Sequence, residues 1–383
     1  MAAACILLAG GGTGGHLYPA LNLAAAFGRL APDLECVFLG GHRGLEARVL
    51  PDSGYRFRLL PLQPLYRQRP WRNWRLLASA PAVLAGVRRA FRDFDPALVV
   101  GTGGYVAAPA LACARVRRVP VAIQEQNAAP GLVTRLFASG ADQVHLGYPE
   151  AEARLRVGDG TRLSALGNPV APVAPGGSGG GAGNGGAGGG FVWPAGRNLL
   201  VFGGSQGALA LNRAFLRDLE WVAETGEPWP DGVSVVWIAG PAHADHVSER
   251  VSALPLADRV RVVPYIDDLG RRLGGAALAL CRAGAMSLAE LCAAGRPAVL
   301  VPLPTSAGGH QLTNARALAR AGAAELCEET RLEPGDLWAA CRDILTDETR
   351  LRRMSAAAAS RGRPDAALDI ATEMLTLLDR AAA

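Results

Sequence analysis

The chain has 383 residues, half of them apolar and 19% charged, which excludes a disordered polypeptide and points to two globular domains of under about 200 residues each. All 39 basic residues are arginine, a compositional bias that leaves Lys-to-Arg exchange uninformative. The net charge of +5 is unevenly spread: residues 1–166 hold 19 Arg against 11 acids, and residues 167–383 hold 20 Arg against 23 acids. A local basic excess suits nucleic acid, an anionic membrane surface or an acidic substrate, and charge alone does not choose among them.

The pattern opens with a short apolar strand, Cys5 to Ala9, where a signal peptide would need a basic start. A glycine loop, Gly10 to Gly15, and a helical run from Leu17 to Leu30 follow. Further strands are expected at Leu34 to Leu39, Ala97 to Gly101, Val119 to Gln124 and Asp142 to Leu146, with helices between them. Strand alternating with helix predicts a parallel sheet covered on both faces. At Asn198 the grammar restarts: LLVFGGSQGALALN repeats LLAGGGTGGHLYPALN at an offset of 192 residues. The chain therefore reads as two doubly wound α/β domains, 1–166 and 197–363, joined by a Gly-rich linker, 167–196, that cannot bury a core. A final helical stripe within 364–383 runs through Ala367, Ile370, Ala371, Met374, Leu377 and Leu378.

Seven scattered cysteines without a C-x-x-C pair predict reduced thiols, with neither a disulfide framework nor structural zinc. No stretch reaches the roughly 20 apolar residues that span a bilayer.

Three glycine loops stand at the ends of expected strands: GGGTGGH at Gly10 to His16, GTGGY at Gly101 to Tyr105, and GGSQGA at Gly203 to Ala208. Gly10, Gly12 and Gly15 satisfy the dinucleotide spacing, but the second strand ends in Phe38-Leu39-Gly40-Gly41 with no acid for a ribose, which argues against NAD(P). Such loops serve either as tight turns or as places where helix N-terminal N–H groups approach a phosphate. At the lip of a ligand site, His16 has the chemistry of a base near neutral pH, although a lone histidine is commonly structural. In the second half, Ala283 to Ala285 allow close backbone approach at a helix start and Ser287 adds a hydroxyl. Glu290 suits either a ribose diol or a solvated helix face, and the amides of Gln311 and Asn314 suit either sugar hydroxyls or helix capping.

Together, GGTGGHLYPA, GTGGYVAAPA, QEQNAAPG, GNPV, VFGGSQGALALN, YIDD, CRAGAMSLAE and GHQLTNARAL resemble the MurG glycosyltransferase family in order and spacing over nearly the whole chain. The resemblance implies a GT-B fold, two Rossmann-like parallel-sheet domains facing a cleft, with the last helix returning to the first domain. It implies an inverting transfer of GlcNAc from UDP-GlcNAc to the C4 hydroxyl of the muramoyl sugar of undecaprenyl-diphosphoryl-MurNAc-pentapeptide (lipid I), giving lipid II, with no cofactor or metal required. By position, Ser205, Ile266, Ala285, Met286, Ser287, Glu290, His310 and Gln311 would hold the donor, reached also by Thr13, Gly14, Gly15 and Asn127. Gly103, Gly104 and Tyr105 would face the acceptor diphosphate. His16 is the expected base, with Glu125 the second choice. Two departures stand out: Ala171 follows GNPV where the family often has Arg, and TSAGG precedes His310 where relatives are more polar.

Residues 65–92 hold seven Arg and no acid, beside an expected stripe of Leu77, Ala80, Leu84, Val87 and Phe91. Trp71, Arg72, Trp74, Arg75, Leu77, Leu84 and Arg88 suit either the headgroup boundary of an anionic membrane or a helix packed on the sheet with a solvated charged face, and no nucleic-acid-reading motif accompanies them. The expected location is peripheral, on the cytoplasmic face of the cell membrane. Three alternatives share the fold: a glycosyltransferase with a soluble acceptor, a UDP-GlcNAc epimerase, and a non-enzymatic nucleotide-sugar sensor.

Overall fold

The computed structural model describes residues 4–63, 70–171, 191–204 and 207–382; of residues 70, 72 and 379–382 only the backbone is described. The expected linker and Ser205 fall largely or wholly outside these residues. The chain forms two compact units, Met1–Val170 with Asp365–Ala383, and Ala171–Pro364.

The first unit runs β1 (Cys5–Gly10), α1 (Gly14–Leu30), β2 (Glu35–Gly41), α2 (Glu46–Val49), β3 (Arg56–Leu60), α3 (Trp74–Phe94), β4 (Pro96–Gly103), α4 (Gly104–Arg117), β5 (Val121–Glu125), α5 (Leu132–Phe137), β6 (Gln143–Leu146) and β7 (Arg162–Ser164). The strands are all parallel in the order β3-β2-β1-β4-β5-β6-β7. Leu7, Val37 and Val99 face a core shared with Val87, Phe91, Val106 and Leu111 of α3 and α4. The alternate residues Ile6, Leu8, Phe38 and Leu98 face α1 instead. This two-sided burial explains why the strands are apolar without alternation.

The second unit runs β8 (Arg197–Phe202), α6 (Leu209–Thr225), β9 (Val233–Ile238), α7 (Ala244–Ser252), β10 (Val260–Val263), α8 (Leu269–Arg272), β11 (Leu278–Cys281), α9 (Ala285–Ala293), β12 (Ala298–Leu300), α10 (His310–Arg320), β13 (Ala324–Leu326), α11 (Asp336–Thr346) and α12 (Glu348–Arg361). Its six parallel strands, ordered β10-β9-β8-β11-β12-β13, repeat the winding of the first unit. The repeat seen at 192 residues is thus structural: β1 and β8 open each sheet and lie inside it.

The last helix, α13 (Ala366–Ala382), belongs to the first unit and packs along α1. It buries Ala367, Ile370, Ala371, Met374 and Leu377 in the α1 side of the sheet. Glu373 fastens it to the sheet edge, accepting from Arg162 at 2.7 Å and Ser164 at 2.8 Å, while Gln143 Nε2 donates to the Glu373 main-chain oxygen at 2.9 Å. His145 lies buried beside that carboxylate, and desolvation pushes its imidazole down to about 4 despite the neighbouring charge.

In α3 the expected stripe divides along the helix. Val87 and Phe91 are buried with Val83 and Ala90 in the C-terminal half, whereas Leu77 and Leu84, on the same stripe, are 79% and 54% exposed. Residues seven apart share a helix face, so their spacing carries no mark of where along its length the helix leaves the core. Among the described residues, no helix is long and apolar enough to cross a membrane.

Candidate active site

The first glycine loop turns from β1 into α1. Thr13 is the N-cap in extended backbone, and its main-chain oxygen accepts from His16 N and Leu17 N, both at 3.2 Å. Thr13 and Gly15 are exposed, and Gly14 is half-buried against the Tyr18 ring. His16 thereby sits in the first turn, half-buried, with Nδ1 3.0 Å from the Thr102 main-chain oxygen and 2.9 Å from Gln126 Oε1. Buried Thr102 also donates its hydroxyl to the His16 main-chain oxygen at 2.7 Å, clamping the turn from below.

The second loop meets this ring directly. Gly103 and Gly104 adopt φ of +98° and +73°, conformations that side chains rarely take. A Cβ on Gly103 would lie 2.8 Å from His16 Nδ1, and one on Gly104 would lie 2.3 Å from the Gly11 main-chain oxygen. Glycine is therefore required for the imidazole to lie on this backbone. Tyr105 follows in α4, its ring close enough that a Cβ on Gly12 would stand 3.0 Å from Cε1. Thr13, Gly14, Gly15, His16, Gly103, Gly104 and Tyr105 thus gather at one end of the first sheet.

Glu125 is organised differently. Its carboxylate, 3% exposed, accepts from Asn127 N at 3.0 Å, Asn127 Nδ2 at 3.1 Å, Gly131 N at 2.9 Å and Thr134 Oγ1 at 2.5 Å. Four donors fill its lone pairs, so it holds the turn into α5 together.

Sequence reasoning missed Glu46. This carboxylate is fully buried and accepts from Gly12 N at 2.9 Å and Gly41 N at 2.9 Å, joining the first glycine loop to the end of β2. Here an internal carboxylate takes an N–H that a bound phosphate takes in dinucleotide-binding loops. β2 ends at Gly41 without an acid, and the acid five residues beyond it carries no motif of its own.

In the second unit the donor-type residues cluster around α9. Gly284 is its N-cap, Ala285 is buried, and Met286 and Ser287 are half-buried in the first turn. Buried Asn314 of α10 donates to the Ala283 main-chain oxygen at 3.3 Å. Arg282 donates to the Val301 oxygen at 3.0 Å and pairs with Glu329. These bonds tie the β11–α9 turn to the neighbouring β12–α10 segment. Glu290 keeps partial surface exposure, yet desolvation against α9 and the Gly270 turn pushes its carboxyl up to about 7.

His310 opens α10 after Gly308 and Gly309, both left-handed at φ +62° and +67°. Gln311 Oε1 accepts from Leu303 N at 2.9 Å, which orients the side chain and holds the loop between β12 and α10. Ser306 Oγ accepts from Gln311 N at 3.4 Å. Ile266 is buried in the turn between β10 and α8. Ala171 is exposed, so no cation stands at that position. Among the described residues, no group of three His, Cys, Asp or Glu is placed to hold a metal ion.

Two parallel doubly wound units, each with a glycine loop after its first strand, have the architecture of the GT-B class. Residues 6–146 match the glycosyltransferase family 28 N-terminal domain and residues 198–370 its C-terminal domain. The chain is 41% identical over 375 residues to the UDP-N-acetylglucosamine–N-acetylmuramyl-(pentapeptide) pyrophosphoryl-undecaprenol N-acetylglucosamine transferase of Salinibacter ruber, covering 98% of this chain and 97% of the relative. It is 39% identical to the enzyme of the same name from Chlorobaculum parvum, over 97% of this chain and 99% of that one. The crystal structure of MurG from Acinetobacter baumannii superposes with a TM-score of 0.73 at 25% identity, covering 97% of this chain and 99% of that one. The chain belongs to the MurG family.

Proposed function

We propose that the chain transfers GlcNAc from UDP-GlcNAc to the C4 hydroxyl of the muramoyl sugar of lipid I, forming lipid II by inversion at the anomeric carbon. The observation that carries the chemical part is the pose of His16. Thr102 offers only a carbonyl to Nδ1, so Nδ1 bears the hydrogen and Nε2 presents its lone pair. In the reaction the C4 oxygen forms a bond to the anomeric carbon, its proton passes to His16 Nε2, and the bond from the anomeric carbon to the β-phosphate oxygen breaks with its electron pair staying on that oxygen of UDP. The α9 N-terminus and the Gly203 to Ala208 loop supply N–H groups for that developing charge. Glu290 takes the ribose hydroxyls and Gln311 the GlcNAc hydroxyls, while Ile266 borders the base. Gly103, Gly104 and Tyr105 face the acceptor diphosphate.

Incubation with UDP-GlcNAc and lipid-linked muramoyl-pentapeptide should release UDP and yield a disaccharide lipid with a β-1,4 bond. Turnover of donor alone into an epimer, or binding without turnover beside an active control enzyme, would overturn the assignment and favour the epimerase or sensor reading.

The membrane part rests on the outer face of α3. Trp71, Trp74, Leu77 and Leu84 are 69%, 62%, 79% and 54% exposed, and Arg75 and Arg88 flank them; the Arg72 side chain lies outside the described ones. A pocket of about 360 Å³ beside this face is lined by Arg43, Gln63, Trp74, Arg75, Ala78 and Ser79. Apolar side chains flanked by arginine favour the headgroup boundary of an anionic leaflet, which supports a peripheral position on the cytoplasmic face. In vesicle co-sedimentation, Leu77→Ser with Leu84→Ser should weaken binding to anionic lipid about 10-fold or more, given roughly 1.5–3 kcal/mol for each buried Leu. Equal binding of wild type to neutral and anionic vesicles, insensitive to salt, would contradict the electrostatic component.

A further inference from the structure

Behind His16 lies a set of amides that no substrate needs to touch. Gln126, 1% exposed, places Oε1 2.9 Å from His16 Nδ1. Its NH2 group lies 2.7 Å from the Thr102 main-chain oxygen, 3.0 Å from the Gln124 main-chain oxygen and 2.5 Å from Gln124 Oε1. Gln124 Nε2 in turn donates to Asn168 Oδ1 at 3.0 Å, and Asn168 Nδ2 donates to the Gln126 main-chain oxygen at 3.0 Å. Gln124 and Asn168 are 0% and 3% exposed.

The polarity of this network follows from its anchors. Main-chain oxygens of Thr102, Gln124 and Gln126 can only accept, so the NH2 of Gln126 must point at the first two and the NH2 of Asn168 at the third. Turning the Gln126 amide over would set its oxygen against two carbonyl oxygens in a site without water access, a loss of about 1–3 kcal/mol for each unmet group. With the amide so fixed, Oε1 faces His16 and is satisfied only by a hydrogen on Nδ1. Thr102 O makes the same demand from the backbone. Water alone favours the opposite tautomer of neutral imidazole, with the hydrogen on Nε2, which would present an N–H where the base must present a lone pair.

We infer that Gln126, locked by Gln124 and Asn168, is a positioning residue that holds His16 in the Nδ1–H tautomer and turns Nε2 toward the acceptor hydroxyl. This rests on His16 being the base, and it adds the device that makes the base competent. Asn168 of the GNPV segment then acts on the reaction through Gln124 and Gln126, which links the end of the first unit to its reacting histidine.

The test uses the full-length protein labelled with ¹⁵N. Long-range proton–nitrogen correlation above pH 8, with the His16 signals assigned by their loss in His16→Ala, should show a protonated Nδ1 and an unprotonated Nε2. In Gln126→Leu the signals should move toward the Nε2–H form, with kcat lowered about 10-fold or more and the KM for UDP-GlcNAc within twofold of wild type. Gln126→Glu, protonated on the oxygen that faces the Thr102 and Gln124 carbonyls and accepting from Nδ1 through the other, should keep the Nδ1–H signature and hold kcat above that of Gln126→Leu. A protonated Nε2 in wild type overturns the inference whether or not either variant folds. So does a folded Gln126→Leu protein with unchanged tautomer and kcat. Full turnover by His16→Ala beside a wild-type Nδ1–H signature would instead remove the base, and with it the catalytic purpose of the network, while leaving the tautomer itself established.

Discussion

The two units wind their sheets in the same order and open each with a glycine loop, yet the loops are completed by different means. In the first unit the carboxylate of Glu46 bridges Gly12 N and Gly41 N. In the second, Gly207 with φ +74° comes so near the chain after β9 that a Cβ there would lie 2.4 Å from the Ala239 main-chain oxygen, and Asn212 Nδ2 donates to that same oxygen at 2.8 Å. One loop is thus filled by the protein's own anion, and the other is closed by backbone and an amide, without a carboxylate among the described residues around it. The self-satisfied loop carries His16 in the first turn of α1, whereas the second loop is held at its far end, where Gly207 meets the chain after β9.

The contrast can be broken most severely at Glu46. Glu46→Ala leaves two buried N–H groups unmet at about 1–3 kcal/mol each, so a stability loss of about 3 kcal/mol is expected. In thermal unfolding this reads as a drop of about 6–12 °C for a unit of this size. A drop under about 2 °C would show that the loop keeps its shape without its internal anion.

Glu290 sharpens the other side. Glu290→Gln replaces a carboxylate by an amide at the ribose diol and should weaken UDP-GlcNAc binding about 10- to 100-fold, as expected for hydrogen bonds to a charged group worth roughly 1.5–3 kcal/mol. The raised carboxyl sets a sign for pH. The folded protein keeps this proton from the ordinary value of 4.5 up to about 7 while the unfolded chain has released it, so stability falls as pH rises through that window. Donor affinity rises as pH passes through about 7, where the carboxylate of the folded protein ionises. Both slopes should flatten in Glu290→Gln, measured by calorimetric titration and unfolding at pH 5 and 8. Identical slopes in variant and wild type would assign them to other groups.

What the sequence made legible follows from what leaves a local mark. Apolar strands ended by glycine, the duplicated loop and the helical stripe of α13 all have periodic or positional signatures, and each lies within one or two residues of where the pattern puts it, as with β1 at Cys5–Gly10. His16 was visible because it follows a glycine loop. Its supports were not. Thr102, Gln126 and Asn168 are far from it in the chain, up to 152 positions, and nothing in their spacing says that three buried polar side chains converge. Glu46 was hidden for the same reason, and the exposed start of the α3 stripe was merged with its buried end because residues at heptad spacing share a face whether or not a neighbour covers it. Local chemistry is written in sequence, whereas the satisfaction of buried polar groups is a property of the folded unit.

The account turns on His16 as the group that accepts the acceptor's proton. Turnover of UDP-GlcNAc and lipid-linked muramoyl-pentapeptide by His16→Ala, set against UDP affinity by calorimetry, tests this most directly. The prediction is a fall in kcat of about 100-fold or more with UDP affinity within twofold of wild type. Unchanged kcat in a folded His16→Ala protein would contradict it.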